Sequence, residues 1–453
     1  MKELLAATAE RAARYLESLE ARGVAPGKDA VARLVSLDHK LPQEATSPES
    51  VLEQLDELYS PATMAVAGPR FFGFVIGGSL PAALAANWLA SVWDQNSVLY
   101  NAFPATAILE RIALDWLLDV LELPPESSGA FVTGTTVANF TALAAARHAV
   151  LAKAGWNVEA DGLFGAPPIT VVIGAEAHAT LHKALGLLGL GRSRVVTVPV
   201  DGQGRMRLDG LPQMSGPAIV CVQAGNINTG AVDPIREICE HAREAGAWVH
   251  VDGAFGLWAR VAPSRSHLVE GLEAADSWAT DAHKWLNVPY DSGVAFVRDA
   301  DSLRAAMAIS AEYLPMASEY RNPSDYTPEL SRRARGVDVW AALLSLGRTG
   351  LTDLIERTCR HARRFAEGLS AAGHRVLNEV VLNQVLVSFG EPETTNRVIA
   401  EIQTDGTCWC GGTVWQGQTA MRISVSSWAT TDADVELSLE AMLRIAEKHR
   451  SRV

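Results

Sequence analysis

The chain has 453 residues, of which 48% are hydrophobic and 20% are charged, and its formal net charge is −13. A chain of this length exceeds a single usual hydrophobic core, so we expect at least two domains. The negative charge argues against binding to nucleic acid or to an anionic membrane surface. Five cysteines without framework spacing, and the lack of an apolar run of membrane-spanning length, indicate a protein of the reducing cytoplasm.

Two stretches near the N-terminus have apolar residues at helical spacing. The first covers residues 3–22, and the second covers residues 47–58 and begins with Ser47 followed by a proline. These helices have little apolar surface to bury against each other. We therefore expect residues 1–68 to form a helical arm that packs on a partner subunit.

From residue 129 onward, strand patterns alternate with helix patterns, which is typical of a largely parallel sheet covered on both faces. Seven strands are predicted, at 130–133, 169–173, 195–198, 218–222, 248–251, 277–280 and 293–297. Asp233, before a proline, is predicted to cap a helix. Past residue 337 the pattern changes to a mixture of helices with strands at 385–389 and 421–426. The sequence thus predicts a large domain over 69–336 and a small α+β domain over 337–453.

The stretch 274–298 carries a lysine, Lys284, among apolar residues that include Trp278 and Trp285. Burial disfavours the charged form of a lysine, and a neutral amine can attack a carbonyl carbon to form a Schiff base. About thirty residues upstream, Asp252 ends a strand and is followed by Gly253 and Ala254, which leave room for a flat ring. If that ring is a pyridine, the carboxylate keeps its nitrogen protonated and the ring withdraws electrons.

The segment Thr133-Gly134-Thr135-Thr136 lies between a predicted strand and a predicted helix. Glycine lets the backbone approach a phosphate closely, and a helix N-terminus offers free N–H groups and a favourable dipole. Thr135 and Thr136 add hydroxyl donors. With Asp252 and Lys284 downstream, this loop is predicted to bind a phosphate.

The motifs at 251–254 (Val-Asp-Gly-Ala) and 281–285 (Asp-Ala-His-Lys-Trp) resemble those of the group II amino-acid decarboxylases. This family includes aromatic-amino-acid, glutamate and diaminobutyrate decarboxylases, and the resemblance extends from about residue 69 to 431. It implies an α/β protein with the type I, aspartate aminotransferase-like fold, a mostly parallel seven-stranded sheet and pyridoxal 5'-phosphate as cofactor. It also implies a homodimer with active sites at the subunit interface, which decarboxylates an L-amino acid through a Schiff base on Lys284.

The resemblance assigns further cofactor contacts. His178 matches the histidine that stacks on the cofactor ring, and His283 matches a phosphate contact. The family places a polar side chain near the ring in the loop 225–230, where Asn226 and Thr229 are both candidates and a simple turn is the alternative. Asp281 stands where several relatives carry asparagine, and its carboxylate could point away from the phosphate and cap a backbone group.

Substrate contacts are implied in the same way. Asn96 and Tyr100 match positions near the family's substrate pocket, some of which reach the neighbouring subunit, and dimer packing is the alternative for both. Arg422 matches an arginine that pairs with a substrate carboxylate in some members, and a structural salt bridge is the alternative. Because Arg422 is the one clear carboxylate partner, we favour an aromatic or bulky substrate over an acidic one.

A segment that resembles the family's mobile catalytic loop begins near residue 310. The family's tyrosine in this loop returns a proton to Cα after carbon dioxide leaves, and Tyr320 is a closer match to it than Tyr313 or Tyr326. In relatives, phenylalanine at this position accompanies aldehyde formation, so a tyrosine favours plain decarboxylation. A mobile loop of this kind would order when substrate binds.

Several alternatives stay open at this point. The lysine motif also resembles that of sphingosine-phosphate-lyase relatives, so a carbon–carbon lyase, aldolase or transaminase reaction is possible, as is a non-catalytic cofactor-binding protein. His178 and His182 share helical spacing, but no third ligand accompanies them and we expect no metal. The twelve tryptophans, Trp93, Trp415 and Trp428 among them, either line an apolar pocket or pack the core.

Overall fold

The computed structural model describes residues 1–37, 40–309 and 320–450. These residues form thirteen α-helices and eleven β-strands. They divide into two compact units, which are described separately. The larger unit comprises Ser79–Arg360 and Asn378–Gln384, and the smaller comprises Met1–Gly78, His361–Leu377 and Val385–Val453.

The α-helices are α1 (Lys2–Ser18), α2 (Lys28–Val35), α3 (Pro48–Gln54), α4 (Pro81–Trp93), α5 (Pro104–Val120), α6 (Thr135–Lys153), α7 (Val158–Asp161), α8 (Ala179–Leu187), α9 (Ile235–Glu244), α10 (Ala300–Met307), α11 (Arg335–Ala371), α12 (Pro392–Asp405) and α13 (Asp432–Lys448). The strands are β1 (Ser128–Val132), β2 (Thr170–Gly174), β3 (Val196–Val198), β4 (Ala218–Gln223), β5 (Trp248–Asp252), β6 (Ser277–Asp281), β7 (Gly293–Val297), β8 (Arg375–Val376), β9 (Gln384–Ser388), β10 (Gly411–Trp415) and β11 (Gln418–Ser424). No helix in this part of the chain combines the length and apolarity that a membrane crossing requires.

The larger unit contains a seven-stranded sheet with the order β1-β7-β6-β5-β4-β2-β3. Strand β7 is antiparallel to both of its neighbours, and the remaining pairs are parallel. Strands β5, β6 and β7 are buried along their whole length, as expected for a sheet covered on both faces. The predicted α/β fold class and its seven strands are confirmed.

The smaller unit contains a four-stranded sheet with the order β10-β11-β9-β8. Two of its strands, β8 and β10, were not expected from the sequence. Trp415 is buried in this unit against Leu386 and Ala420, so this tryptophan packs a core. The long helix α11 is interrupted at Gly347, in the larger unit, where φ is +58°.

One local prediction is wrong. Asp233 does not cap α9, because its carboxylate accepts the backbone N–H groups of Met206 and Gln223, each at 2.7 Å. The side chain thus connects the end of β4 with the segment at Met206 instead of capping a helix. Burial raises the pKa of Asp233 to about 6.

Candidate active site

Two neighbouring parallel strands, β5 and β6, deliver the central residues to one edge of the larger unit's sheet. Asp252 ends β5 and is in register with Ala279 of β6. Beyond the strands, the Asp281 N–H donates to the Ala254 carbonyl at 2.9 Å, which keeps the two chain segments together. Asp252 and Lys284 therefore leave the same, C-terminal edge of the sheet, where ligands of such folds bind.

Lys284 has a charged partner. Its Nζ lies 2.9 Å from Asp281 Oδ2, while Asp281 Oδ1 accepts the backbone N–H of Thr135 at 2.7 Å. The apolar residues expected around Lys284 include Trp285 and Leu286, which are fully buried, and Asp281 adds a carboxylate to these surroundings. Asp281 caps a backbone group, which is the alternative that the sequence left open.

The surroundings of Asp281 set its protonation and that of its neighbour. Burial alone would raise the pKa of Asp281, but the combined effect of Lys284, His283 and hydrogen bonding lowers the pKa below its ordinary value. Burial lowers the pKa of His283, opposed by Asp281, whose Oδ1 lies 3.7 Å from His283 Nε2. His283 Nδ1 accepts the Ser292 N–H, so Nε2 is the nitrogen that carries the proton in the neutral ring.

The N-terminus of α6 fits a phosphate group. Thr135, the first residue of this helix, has a buried Oγ1 without a hydrogen-bond partner among the described residues. A Cβ at Gly293 would lie 2.4 Å from Gly134 Cα, so glycine is required for this close approach of β7 to the loop. A phosphate oxygen would accept the Thr135 hydroxyl and benefit from the helix dipole. Thr136 follows on the same helical turn.

Asp252 is a buried carboxylate that fits a cationic ring nitrogen. Its side chain accepts hydrogen bonds from Asn139 Nδ2 at 3.0 Å and from the Ala254 N–H at 3.3 Å. Within the described residues, no lysine, arginine or histidine nitrogen lies within 4.0 Å of it, although Asp252 is only 4% exposed. A buried charge without a cation is costly. A protonated pyridine would supply the missing partner.

His178 and Asp252 line one cavity, together with Glu176 and Asp233. His178 precedes α8, and its Nδ1 accepts the Thr180 N–H at 3.3 Å, which fixes the ring at the helix start. The cavity places an imidazole and a carboxylate around the same space. Stacking of His178 on a cofactor ring stays a prediction.

The two candidates in the loop 225–230 are engaged within the protein. Asn226 Oδ1 accepts the N–H groups of Asn228 and Thr229, which forms the turn that the sequence analysis held as the alternative. The buried Thr229 hydroxyl donates to the Gln203 carbonyl at 2.7 Å. A cofactor contact by either residue stays a prediction.

Tyr100 and Tyr320 are in contact. Their rings stack with centroids 4.3 Å apart, and Tyr320 is half exposed. The next residue, Arg321, lies over the ring of Tyr326 at 3.9 Å, so Tyr326 is committed to a cation–π contact. Asn96 accepts the backbone N–H of Arg332 at 3.0 Å. Tyr313 lies outside the described residues.

Arg422 lies on β11 of the smaller unit. Burial lowers the pKa of its guanidinium, and no carboxylate oxygen of the described residues lies within 4.0 Å of it. The alternative of a structural salt bridge therefore finds no partner in the part of the chain that the structure describes. Its pairing with a substrate carboxylate stays a prediction.

Two residues beside Asp252, Asn139 and His250, were not identified as site residues from the sequence. Both are fully buried, and Asn139 connects His250 with Asp252 through its two side-chain atoms. His250 has a signal in the sequence, because side chains two apart on a strand share a face and His250 therefore accompanies Asp252. Asn139 has no such signal, since it lies 113 residues from Asp252 in the chain.

Known proteins match the chain over most of its length. The model of the pyridoxal-dependent decarboxylase conserved domain matches residues 31–390. Tryptophan decarboxylase 1 of Oryza sativa subsp. japonica is 27% identical over 91% of this chain and 87% of its own length. L-2,4-diaminobutyrate decarboxylase of Rhizobium meliloti (strain 1021) is 28% identical over 91% of this chain and 85% of its own length. A crystal structure of Oryza sativa TDC with PLP and tryptamine has a TM-score of 0.90 at 24% identity, and covers 99% of this chain and 97% of that one.

The fold and the family match define an enzyme of the pyridoxal-phosphate class with the aspartate aminotransferase-like fold. Within that class, the chain belongs to the pyridoxal-dependent decarboxylase family. It is a pyridoxal-phosphate-dependent amino-acid decarboxylase, as the sequence analysis predicted. The family match supports removal of a carboxyl group and gives no support to the lyase, aldolase or transaminase alternative.

We expect the Asp281→Asn variant to unfold more easily at neutral pH, by about 2–4 kcal/mol, because it leaves the largely buried Lys284 without its anion. The pKa of Asp281 is lowered in the folded state. Its charge therefore contributes stability above the ordinary aspartate pKa of about 3.9, and this contribution is lost as the pH falls through the lower folded-state value. The difference in the free energy of unfolding is measured by urea unfolding of the cofactor-free unaltered protein and variant between about pH 3 and pH 7.

The matched control is Asp299→Asn, since Asp299 caps α10 and has no lysine partner among the described residues. Asparagine caps helices about as well as aspartate, so this change should have little effect. Equal losses in the two variants, or a loss at Asp281 that does not shrink in acid, would contradict the assignment.

Proposed function

We propose that this enzyme decarboxylates an L-amino acid at a site in which Lys284 binds the cofactor covalently. The observation that carries the proposal is the path from Lys284 Nζ through the Asp281 carboxylate to the Thr135 N–H, at 2.9 and 2.7 Å. The aldehyde and the phosphate arm of pyridoxal phosphate are on neighbouring ring carbons. An amine held beside a phosphate-binding helix N-terminus is therefore suited to that cofactor.

Bound pyridoxal phosphate supplies an aldehyde that condenses with amines and a ring that withdraws electrons from the substrate's α-carbon. Asp252 holds a proton on the ring nitrogen, because a buried carboxylate without another cation stabilises a pyridinium. His178 would contact the cofactor ring. Lys284 would hold the cofactor through its amine and would take part in release of the product amine.

Phosphate contacts are assigned to Thr135, Thr136 and His283 around the start of α6. The unpartnered Thr135 hydroxyl supports its assignment. Ala254, two positions after Asp252, has a small side chain and therefore leaves room beside the cofactor ring. Asn226 and Thr229 are proposed to border the ring through their loop, with their side chains serving mainly to hold that loop in shape.

For the substrate, we propose that Arg422 pairs with a carboxylate and that Asn96 and Tyr100 border the pocket. A buried guanidinium without a carboxylate partner in the described chain supports the first assignment. The aromatic pair of Tyr100 and Tyr320 supports a preference for an aromatic or bulky side chain. One arginine suits a substrate with a single carboxylate.

Tyr320 is proposed to return a proton to Cα once carbon dioxide has left. Its ring is half exposed, and this supports the role because the phenol can contact a substrate that enters from the protein surface. Arg321, the next residue in the chain, is held over the ring of Tyr326 and so anchors the chain beside Tyr320. Because the chain is anchored beside Tyr320, its phenol can take the same position in each turnover.

We also propose that the enzyme is a cytoplasmic homodimer, in which residues 1–68 form an arm on the partner and 69–336 and 337–453 form the large and small domains. Helix α4 supports the dimer, because four of its large apolar side chains are exposed. They are Trp88, Leu89, Val92 and Trp93. Exposed apolar patches of this kind mark protein contacts. The five cysteines, all buried and free, suit a reducing compartment.

We expect the Lys284→Ala variant to lose both turnover and covalent attachment of the cofactor. Borohydride reduction followed by peptide mass spectrometry should find the cofactor on Lys284 in the unaltered enzyme and on no peptide in the variant. Turnover is measured as amine and carbon dioxide release from a panel of aromatic, acidic and basic amino acids, with the highest rate expected for an aromatic one. Lys183→Ala, at an exposed lysine of α8, is the control. Cofactor attached elsewhere than Lys284 would refute the proposal.

We expect the Tyr320→Phe variant to form amine about a hundredfold to ten-thousandfold more slowly, because it lacks the proton donor, with little change in KM. Aldehyde formation under air should rise at the same time. Tyr326→Phe is the control, since its ring keeps the contact with Arg321. If Tyr313→Phe shows the loss and Tyr320→Phe does not, the proton donor is Tyr313.

We expect the Val92→Glu variant to weaken the dimer at least about a hundredfold, because a charge buried in an apolar interface costs about 3 kcal/mol or more. Analytical ultracentrifugation over a concentration series measures the dissociation constant. Leu187→Glu replaces an exposed apolar residue of α8 and should leave the dimer intact. A Val92→Glu protein that remains dimeric at low concentration would exclude α4 from the interface.

A further inference from the structure

A chain of buried hydrogen bonds runs behind Asp252. Asn139 of α6 donates from Nδ2 to Asp252 Oδ2 at 3.0 Å, and its Oδ1 lies 2.9 Å from His250 Nε2. His250 Nδ1 is in turn 2.9 Å from Ser277 Oγ, which accepts the Trp248 indole N–H at 2.9 Å. Trp248, His250 and Asp252 alternate along β5, so all three face α6.

Chemistry fixes the direction of every hydrogen bond in this chain. An ionised Asp252 only accepts, so the amide nitrogen of Asn139 must face it and the amide oxygen must face His250. His250 therefore carries its proton on Nε2, which leaves Nδ1 as an acceptor for the Ser277 hydroxyl. The indole N–H of Trp248 only donates and completes the series at the Ser277 oxygen.

The series contains no second charge. Burial lowers the pKa of His250 to about 3, so its ring is neutral at physiological pH. Asn139, His250 and Ser277 are each fully buried, and every polar atom of the series has a partner. A fully satisfied buried network holds its members in one arrangement, because breaking any one bond leaves polar atoms unpaired.

We propose that Asn139 and His250 are positioning residues for decarboxylation, which hold the Asp252 carboxylate ionised and in a fixed orientation toward the cofactor's ring nitrogen. The inference rests on the proposed role of Asp252. Asn139 neutralises none of the charge on Asp252, since an amide donates a hydrogen bond without bringing a cation. The full negative charge thus stays available to a protonated ring.

A purely structural role for the series makes a different prediction. If Asn139 only tied α6 to the sheet, its loss would lower stability and leave the protonation of the ring unchanged. If it positions Asp252, its loss changes the ring nitrogen itself. The protonation state of that nitrogen is read directly by NMR of enzyme loaded with pyridoxal phosphate that is ¹⁵N-labelled in the ring.

The experiment compares Asn139→Leu and Asn139→Ser with the unaltered holoenzyme, so that a variant remains if the leucine protein does not fold. We expect the ¹⁵N resonance to move toward that of a neutral pyridine. Cofactor affinity should fall about tenfold to a hundredfold, the value of a buried hydrogen bond to a charge. Ser277→Ala, at the far end of the series, should produce a smaller change in the same direction.

Thr141→Val is the matched control. Thr141 is buried on the same helix and donates only to the Val137 carbonyl, so this change should leave the ¹⁵N resonance and the affinity unaltered. Asp252→Asn separates the two levels of the argument. If it leaves the resonance unmoved, the proposed role of Asp252 is wrong. If it moves the resonance and both Asn139 variants do not, only the positioning role is overturned.

Discussion

Asp281 bonds to two different parts of the larger unit, and the geometry of the site depends on that double contact. One carboxylate oxygen accepts the first N–H of α6 and the other pairs with Lys284. Lys284 lies three positions after Asp281 in the chain, so the end of β6 fixes the amine as well as the start of α6. The start of α6 and the amine of Lys284 are thereby held at one spacing through a single carboxylate.

The strands of this sheet could be predicted because buried parallel strands are largely apolar runs, of which Thr170–Gly174 and Ala218–Gln223 are the clearest cases. The sequence also indicated Asp252 and Lys284, since polar residues that follow such runs meet at one edge of the sheet. Loops gave less. Asp233 precedes a proline and resembles a helix cap, yet its carboxylate bonds to two backbone N–H groups of other segments. Only the folded chain determines which donors come within reach.

The same limit explains why the residues behind Asp252 were missed. His250 shares a strand face with Asp252, but a buried histidine on a strand is common and the pattern alone assigns it no partner. Asn139 lies on a helix whose neighbouring positions are mostly alanine and leucine, and its partners are more than a hundred residues away in the chain. Spacing rules describe neighbours within an element, whereas this network joins three elements through packing.

Two carboxylates at one sheet edge are given different tasks by their partners. Asp281 is paired with a cation of the protein, so its charge is already compensated by Lys284. Asp252 receives an amide and a backbone N–H, neither of which compensates its charge. A buried anion that the protein leaves uncompensated destabilises the folded state, and a cationic ligand would offset that cost. The charge of Asp281 is thus compensated within the protein, the charge of Asp252 is compensated by no cation of the described residues, and this difference distinguishes the two aspartates.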